Sequence, residues 1–239
     1  MMKFLVGGLL ILLLGQAAPA LALDELARSA PFSDGKSINY ILTTSGQKPS
    51  YAVILMPGGK GALDPRMEGD KLVMAGGGNF LIRSRELFAT GPFVAASTDA
   101  TTTPDRIMAI VRDLERRYGK TAVYVIGTSR STESTMALAK PLDGQVAGFV
   151  HSSSMNAISS FDTRPFKSRH LIVIHNRDAC RATKPSAGVA ASRTSGAELI
   201  AMDGGKSTGD DCEAYAHHGY YGIEKETVDK IKAWIMAGK

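Results

Sequence analysis

Val125-Ile126-Gly127-Thr128-Ser129-Arg130-Ser131 is an apolar run that breaks into a small-x-Ser-x-small turn. Behind it come Ser131, Thr132, Ser134, Thr135, Ala137 and Ala139, side chains small enough for a helix that packs closely on a sheet. A strand that turns sharply into such a helix exposes the side chain at its apex, here Ser129, and leaves little room for bulk two residues to either side. Gly127 and Ser131 meet that requirement. The pattern predicts a strand–turn–helix elbow in an α/β sheet. The helix N-terminus would point its partial positive charge at the apex, where an oxyanion could be held.

A serine hydroxyl is a poor nucleophile unless a histidine takes its proton and a carboxylate orients that histidine. Partners of both kinds follow Ser129 in the chain. Asp178 lies just past Leu171-Ile172-Val173-Ile174-His175, at the C-terminal end of an expected strand, where the crevices of α/β sheets form. Asp203, Asp210 and Asp211 are alternatives nearer to the histidine in sequence. The histidine is expected in Ala216-His217-His218-Gly219-Tyr220; His218 is favoured over His217 because Gly219 frees the loop around it. Ser, Asp, His is the chain order in which one large fold assembles a hydrolytic triad.

An early apolar run, Ile54-Leu55-Met56, ends in Pro57-Gly58-Gly59-Lys60-Gly61. Glycines there let backbone N–H groups face a substrate oxygen unobstructed. The expected oxyanion donors are the N–H of Gly59 or Lys60 together with that of Arg130, directly after the serine. Arg83, Arg85 and Lys60 are expected near the same edge of the sheet. They read as solvated surface cations, with an anionic substrate as the alternative role.

The rest of the chain alternates short apolar runs with helical patterns, as in an α/β sandwich with a mostly parallel sheet. Strands are expected at 38–43, 51–56, 93–97, 122–126, 146–151, 170–175 and 197–202. Thr103-Pro104-Asp105 opens a helix with a capping hydroxyl, a proline and an early acid; Ile107, Ile110, Val111 and Leu114 recur at helical spacing, and Gly119 closes it. The last helix sets Val228, Ile231 and Ile235 on one face, beside Trp234, as core. Gly204–Gly209 contains Gly-Lys-Ser, but the phosphate-loop spacing puts its first glycine at Ile200. Gly76-Gly77-Gly78 lacks the dinucleotide-binding spacing. No histidine pair has the i, i+4 spacing of a helical zinc site, so no metal is expected.

Lys3, the apolar run Phe4–Leu14 and Ala20-Leu21-Ala22 form an export signal over residues 1–22, too short to span a bilayer as an anchor. Residues 23–239 then make one domain, expected in the periplasm and without stable membrane insertion. Net charge is +5, and basic residues alternate with acids, as in Arg112-Asp113-Leu114-Glu115-Arg116-Arg117, which reads as a solvated helix face. No basic stripe with interleaved aromatics points to nucleic acid. Two cysteines in an oxidising compartment favour a Cys180–Cys212 disulfide, stapling the loops that carry Asp178 and His218.

Together, Pro57-Gly58-Gly59, the Gly127–Arg130 elbow, Asp178 after its strand and His218-Gly219 before the closing helix resemble the α/β-hydrolase superfamily, especially exported esterase-like and dienelactone-hydrolase-like members. The resemblance runs from about residue 36 to the C-terminus. It implies a mostly parallel central sheet with helices on both faces and no metal or organic cofactor. It also implies Ser129 as nucleophile, His218 as general base and then acid, and Asp178 as its orienting partner. Ser131 stands where the family usually has glycine, and Pro57 where many lipases have histidine. The short interval between the strands ending at His151 and starting at His170 leaves little room for a lid. The expected function is hydrolysis of small or medium acyl esters, the partner being a small-molecule acyl substrate. The alternative is a non-catalytic periplasmic binding or accessory protein that retains the fold.

Overall fold

The computed structural model describes residues 23–33 and 35–238; the expected export signal, residues 1–22, lies outside them. Eight strands form the main sheet: β1 (Asp24–Ser33), β2 (Lys36–Thr44), β3 (Tyr51–Met56), β4 (Phe93–Thr98), β5 (Ala122–Thr128), β6 (Gly148–Ser152), β7 (Arg169–His175) and β8 (Glu198–Met202). Their spatial order is β1-β2-β4-β3-β5-β6-β7-β8. β1 and β2 pair antiparallel, as do β2 and β4; every other pairing is parallel. The longer helices are α1 (Pro104–Tyr118), α2 (Ser131–Ala139), α3 (Pro185–Thr194) and α4 (Glu224–Ala237).

The central strands are continuous apolar runs because both faces are covered. Along β3 the side chains alternate between two cores. Ala52, Ile54 and Met56 join Ile107, Ile110 and Leu114 of α1. Tyr51, Val53 and Leu55 join Val228, Ile231 and Ile235 of α4. Each such buried aliphatic side chain contributes about 1.5–3 kcal/mol relative to exposure. A third cluster packs Ala191 of α3 on Ile172 and Ile174 of β7. Lys232 of α4 is buried too, its ammonium donating to Leu87 O, Thr90 O and Thr90 Oγ1.

Helix α1 starts at Pro104 and stops before Gly119, where the sequence places its ends. Two local details differ from expectation. The Thr103 hydroxyl makes no capping bond; instead Thr101 Oγ1 accepts from Thr103 N–H. Asp113 is not solvated. It is buried against β2, accepting from Tyr40 Oη, Arg116 and Arg117. Burial and the neighbouring carboxylate push the Tyr40 hydroxyl well above its ordinary pKa.

β1 is absent from the apolar pattern of the sequence. It is an edge strand paired on one side only, with one buried residue, Ala30, and polar and apolar side chains mixed, so alternation cannot reveal it. A tertiary ion pair anchors it: Glu25 accepts from Arg85 Nε and Nη2, both at 2.6 Å. A small hairpin, Arg66–Glu68 with Lys71–Val73, and two one-turn helices, Phe80–Arg83 and Arg85–Phe88, lie between β3 and β4.

Between β6 and β7 the chain makes only one 3-10 turn, Asn156–Ser160, and no lid is inserted there. No helix among the described residues is long and apolar enough to cross a membrane.

Candidate active site

Register builds the site. In the β3–β5 pairing Met56 lies opposite Gly127, so the Pro57–Gly61 turn and the Ser129 elbow leave the sheet side by side. Ser129 has φ +54°, the left-handed region that costs a non-glycine residue roughly 1–2 kcal/mol. The surrounding contacts hold it there. Ser129 N–H donates to Ser152 O on β6 at 3.0 Å, and Thr132 Oγ1 donates to Ser129 O at 2.6 Å.

The small residues around the elbow have distinct reasons. A Cβ on Gly127 would sit 2.6 Å from Ser131 O, and one on Gly58 would sit 2.8 Å from Thr128 O and 2.9 Å from Ser129 Cβ. Ser131 is more than a small substitute for glycine. Its buried Oγ accepts from Thr128 N–H at 2.8 Å and donates to Met56 O at 2.8 Å, tying the end of β5 to the end of β3.

Asp178 follows β7 in a tight turn, with its N–H donating to His175 O at 3.0 Å. Its side chain is 2% exposed. Oδ1 accepts from Cys180 N–H at 2.9 Å, and Oδ2 accepts from Thr183 Oγ1 at 3.0 Å and faces His218 Nδ1 at 3.0 Å. The structure therefore brings Asp178 and His218 together. Asp203 is exposed and paired with Arg177, and Asp210 and Asp211 are exposed as well. His217 turns away, stacking on His175 with ring centroids 4.6 Å apart.

The His218 backbone is fixed from β6 and from the following turn. Ser153 Oγ donates to His218 O at 2.7 Å. Tyr220, itself at φ +57°, accepts from Ser153 N–H and donates to Val173 O through one buried hydroxyl. Arg83 donates to Gly219 O at 2.6 Å and pairs with Glu224. Arg83 and Arg85 are thus structural, each pairing with a carboxylate at a largely buried contact, and not the solvated cations expected from the sequence. The tertiary partners Ser153, Thr183 and Tyr220 carry no sequence signal.

Ser129 and His218 line one open cleft of about 710 Å³, with Gly58, Gly59, Lys60 and Arg130 on its rim and Phe80, Met155 and Tyr215 among its apolar lining. Among the described residues, the N–H groups of Gly59, Lys60 and Arg130 have no acceptor within the protein. Cys180 and Cys212 form a disulfide whose residues also line the cleft. Asp178, Cys180 and His218 are the one His/Cys/Asp/Glu grouping among the described residues with donor atoms within 4.8 Å of one another. The sulfur is in the disulfide and the carboxylate and imidazole bond each other, a poor donor set for a metal.

The strand order, the serine elbow and the carboxylate–histidine pair at the C-terminal edge define the α/β-hydrolase fold. Esterases and serine hydrolases are among the solved structures with the same architecture. A cold-adapted esterase from an Arctic intertidal metagenomic library superposes with a TM-score of 0.60 at 12% identity, over 92% of this chain and 97% of that one. The esterase domain of a Rhodothermus marinus protein gives 0.59 at 11%, over 88% and 97%. An α/β serine hydrolase without lid from Xanthomonas campestris gives 0.55 at 9%, over 90% and 98%. No family model matches the sequence, and no curated protein is significantly similar to it.

Proposed function

We propose that this chain is an exported serine hydrolase of small or medium acyl esters, with Ser129, His218 and Asp178 as its triad. The observation that carries the reading is the strained Ser129 elbow sharing one cleft with His218, whose Nδ1 is held by a buried carboxylate. Thr183 gives its single hydroxyl proton to Asp178, so His218 Nδ1 faces two oxygens and must itself carry a proton. In the neutral imidazole the lone pair then falls on Nε2, the arrangement a general base requires.

In the proposed reaction Nε2 takes the Ser129 proton as Oγ attacks the ester carbonyl. The developing oxyanion accepts from the N–H of Arg130 and that of Gly59 or Lys60, donors free of internal acceptors. Collapse expels the alcohol, which leaves with the proton from the imidazolium. Water, deprotonated by the same nitrogen, then attacks the acyl-enzyme and releases the acid, restoring Ser129. The open cleft without a lid favours soluble esters over lipid aggregates. The disulfide is compatible with an oxidising compartment.

A fluorophosphonate probe tests the reading. It should label the wild-type protein and fail to label Ser129→Ala and His218→Ala. A folded wild type left unlabelled would point to a non-catalytic protein that retains the fold.

A further inference from the structure

Asn79 stands in the same cleft as Ser129, Gly58, Gly59 and Arg130. The two ends of its side chain have different duties. Oδ1 accepts from Leu81 N–H at 3.1 Å and caps the one-turn helix Phe80–Arg83. A flipped amide would set two N–H groups against each other, so the cap fixes which end is the donor. That donor, Nδ2, faces Gly58. It lies 3.5 Å from the point where a Cβ on Gly58 would sit, and Ser129 Cβ lies 2.9 Å from the same point. Among the described residues no group accepts a hydrogen bond from Nδ2.

The cap alone does not call for an amide. Serine, threonine and aspartate supply the same acceptor at a helix N-cap. What asparagine adds is a neutral N–H donor facing the serine elbow, and the backbone holds it there. Asn79 N–H donates to Gly76 O at 2.9 Å, and the Arg83 guanidinium donates to Gly78 O at 2.7 Å and to Gly219 O at 2.6 Å. One arginine thus ties the turn before Asn79 to the turn after His218. The Gly76-Gly77-Gly78 run also finds its use: Gly76 sits at φ +63°, and a Cβ on Gly78 would meet Tyr215 Oη at 3.3 Å. A donor fixed before substrate arrives needs no reorganisation during the reaction, which makes it effective against developing charge.

We infer that Asn79 Nδ2 is a side-chain donor of the oxyanion hole, bonding the carbonyl oxygen as Ser129 attacks, beside the backbone N–H of Arg130. This rests on the serine-hydrolase reading above and adds a catalytic residue to it. As the bond from Ser129 Oγ to the carbonyl carbon forms, the carbonyl π pair moves onto oxygen and the serine proton passes to His218 Nε2. Asn79 neither gains nor loses a proton. Its hydrogen bond strengthens as the oxygen becomes charged, so it acts on kcat more than on KM. Gly58, having no side chain, leaves the space between Nδ2 and the elbow clear.

Asn79→Ser and Asn79→Asp test it, because both keep a capping oxygen and remove the amide donor. Thermal unfolding should stay within a few degrees of wild type. On para-nitrophenyl butyrate, kcat should fall by about a hundredfold in Asn79→Ser with KM little changed. It should fall further in Asn79→Asp, whose carboxylate repels the oxyanion. Inhibition by an alkyl trifluoromethyl ketone, which forms a hemiketal oxyanion on the serine, should weaken in parallel, a response that lost packing alone does not require. A crystal structure of that adduct with the wild type needs no variant, and should place Nδ2 about 2.7–3.1 Å from the hemiketal oxygen. An Nδ2 beyond about 4 Å in the adduct overturns the inference and leaves the hydrolase reading intact. So does a folded Asn79→Ser that keeps kcat within about threefold, or one that loses kcat without losing ketone affinity. A wild type that neither labels with fluorophosphonate nor turns over the ester removes both.

Discussion

His218 Nδ1 lies 3.0 Å from Asp178 Oδ2 and 3.1 Å from Thr183 Oγ1, while Thr183 Oγ1 lies 3.0 Å from that same carboxylate oxygen. The three atoms form a closed triangle with two protons to place. The threonine hydroxyl gives its proton to Asp178, and the imidazole Nδ1–H points between the two oxygens. Thr183 thereby positions both the acid and the histidine without meeting substrate.

Removing that hydroxyl should be costly. Thr183→Val is expected to lower kcat/KM for an ester by about tenfold, the cost of one lost buried hydrogen bond beside a charge. Thr183→Ser should recover most of it. Steady-state kinetics of the two variants over a pH series checks this; equal losses in both would assign Thr183 to packing alone.

Gly58→Ala places a Cβ 2.8 Å from Thr128 O and 2.9 Å from Ser129 Cβ, so either the turn or Ser129, the proposed nucleophile, must move. Displacing a reacting group by a fraction of an ångström to one ångström costs up to about a hundredfold in rate. Activity is expected to fall by that order while thermal unfolding shifts only a few degrees. A variant as active as wild type would show that the Gly58 turn does not press on Ser129.

The Cys180–Cys212 bridge closes a span of 32 residues, which in the chain-entropy model stabilises the fold by about 3–4 kcal/mol. It also flanks Asp178, whose Oδ1 accepts from Cys180 N–H. Treatment with dithiothreitol, or Cys180→Ala with Cys212→Ala, should lower the unfolding midpoint and reduce ester turnover together. Calorimetry beside an activity assay decides it: lost stability with full turnover would separate the bridge from the site.

Acid should destabilise the fold through a buried, hydrogen-bonded histidine pair. Thr135 Oγ1 lies 2.8 Å from His151 Nδ1, and His151 Nε2 lies 3.1 Å from His170 Nδ1, the two rings being nearly coplanar, edge to edge, and enclosed by Phe149, Phe161 and Phe166. Burial is the main cause holding His170 down at about 4, and it holds His151 well below the usual histidine range. The unfolded chain therefore binds more protons at these sites. Their contribution to stability is complete above about pH 6.5 and is lost as pH falls toward and through 4, by up to about 3 kcal/mol for His170. Urea midpoints measured from pH 7 to pH 4 should fall, and fall less steeply in His170→Phe.

The central fold was legible in the sequence because its strands are buried on both faces and become unbroken apolar runs. Tyr51–Met56 is of this kind, and so is the Leu171–Ile174 centre of the strand Arg169–His175. The serine elbow was legible for a steric reason, since Gly127 is required by a Ser131 carbonyl only 2.6 Å from where a Cβ would lie. β1 was not legible, because an edge strand with one paired side needs no apolar alternation. The same limit applies to Asp113 and Arg83, whose charges look solvated in sequence but find partners across the fold at Tyr40, Glu224 and Gly219.

By itself, the sequence determined the alternation of strand and helix, the apex at Ser129 and a short set of acids and histidines. Tertiary structure alone decided that Asp178 and not Asp203 faces His218, and that His217 stacks on His175 instead. It also decided that Thr183, Ser153 and Tyr220 hold the histidine in place. The reason is physical. Local patterns record which face of an element meets the core, whereas a hydrogen bond between residues 40 positions apart, such as that of Asp178 and His218, depends on where the sheet's register brings their loops.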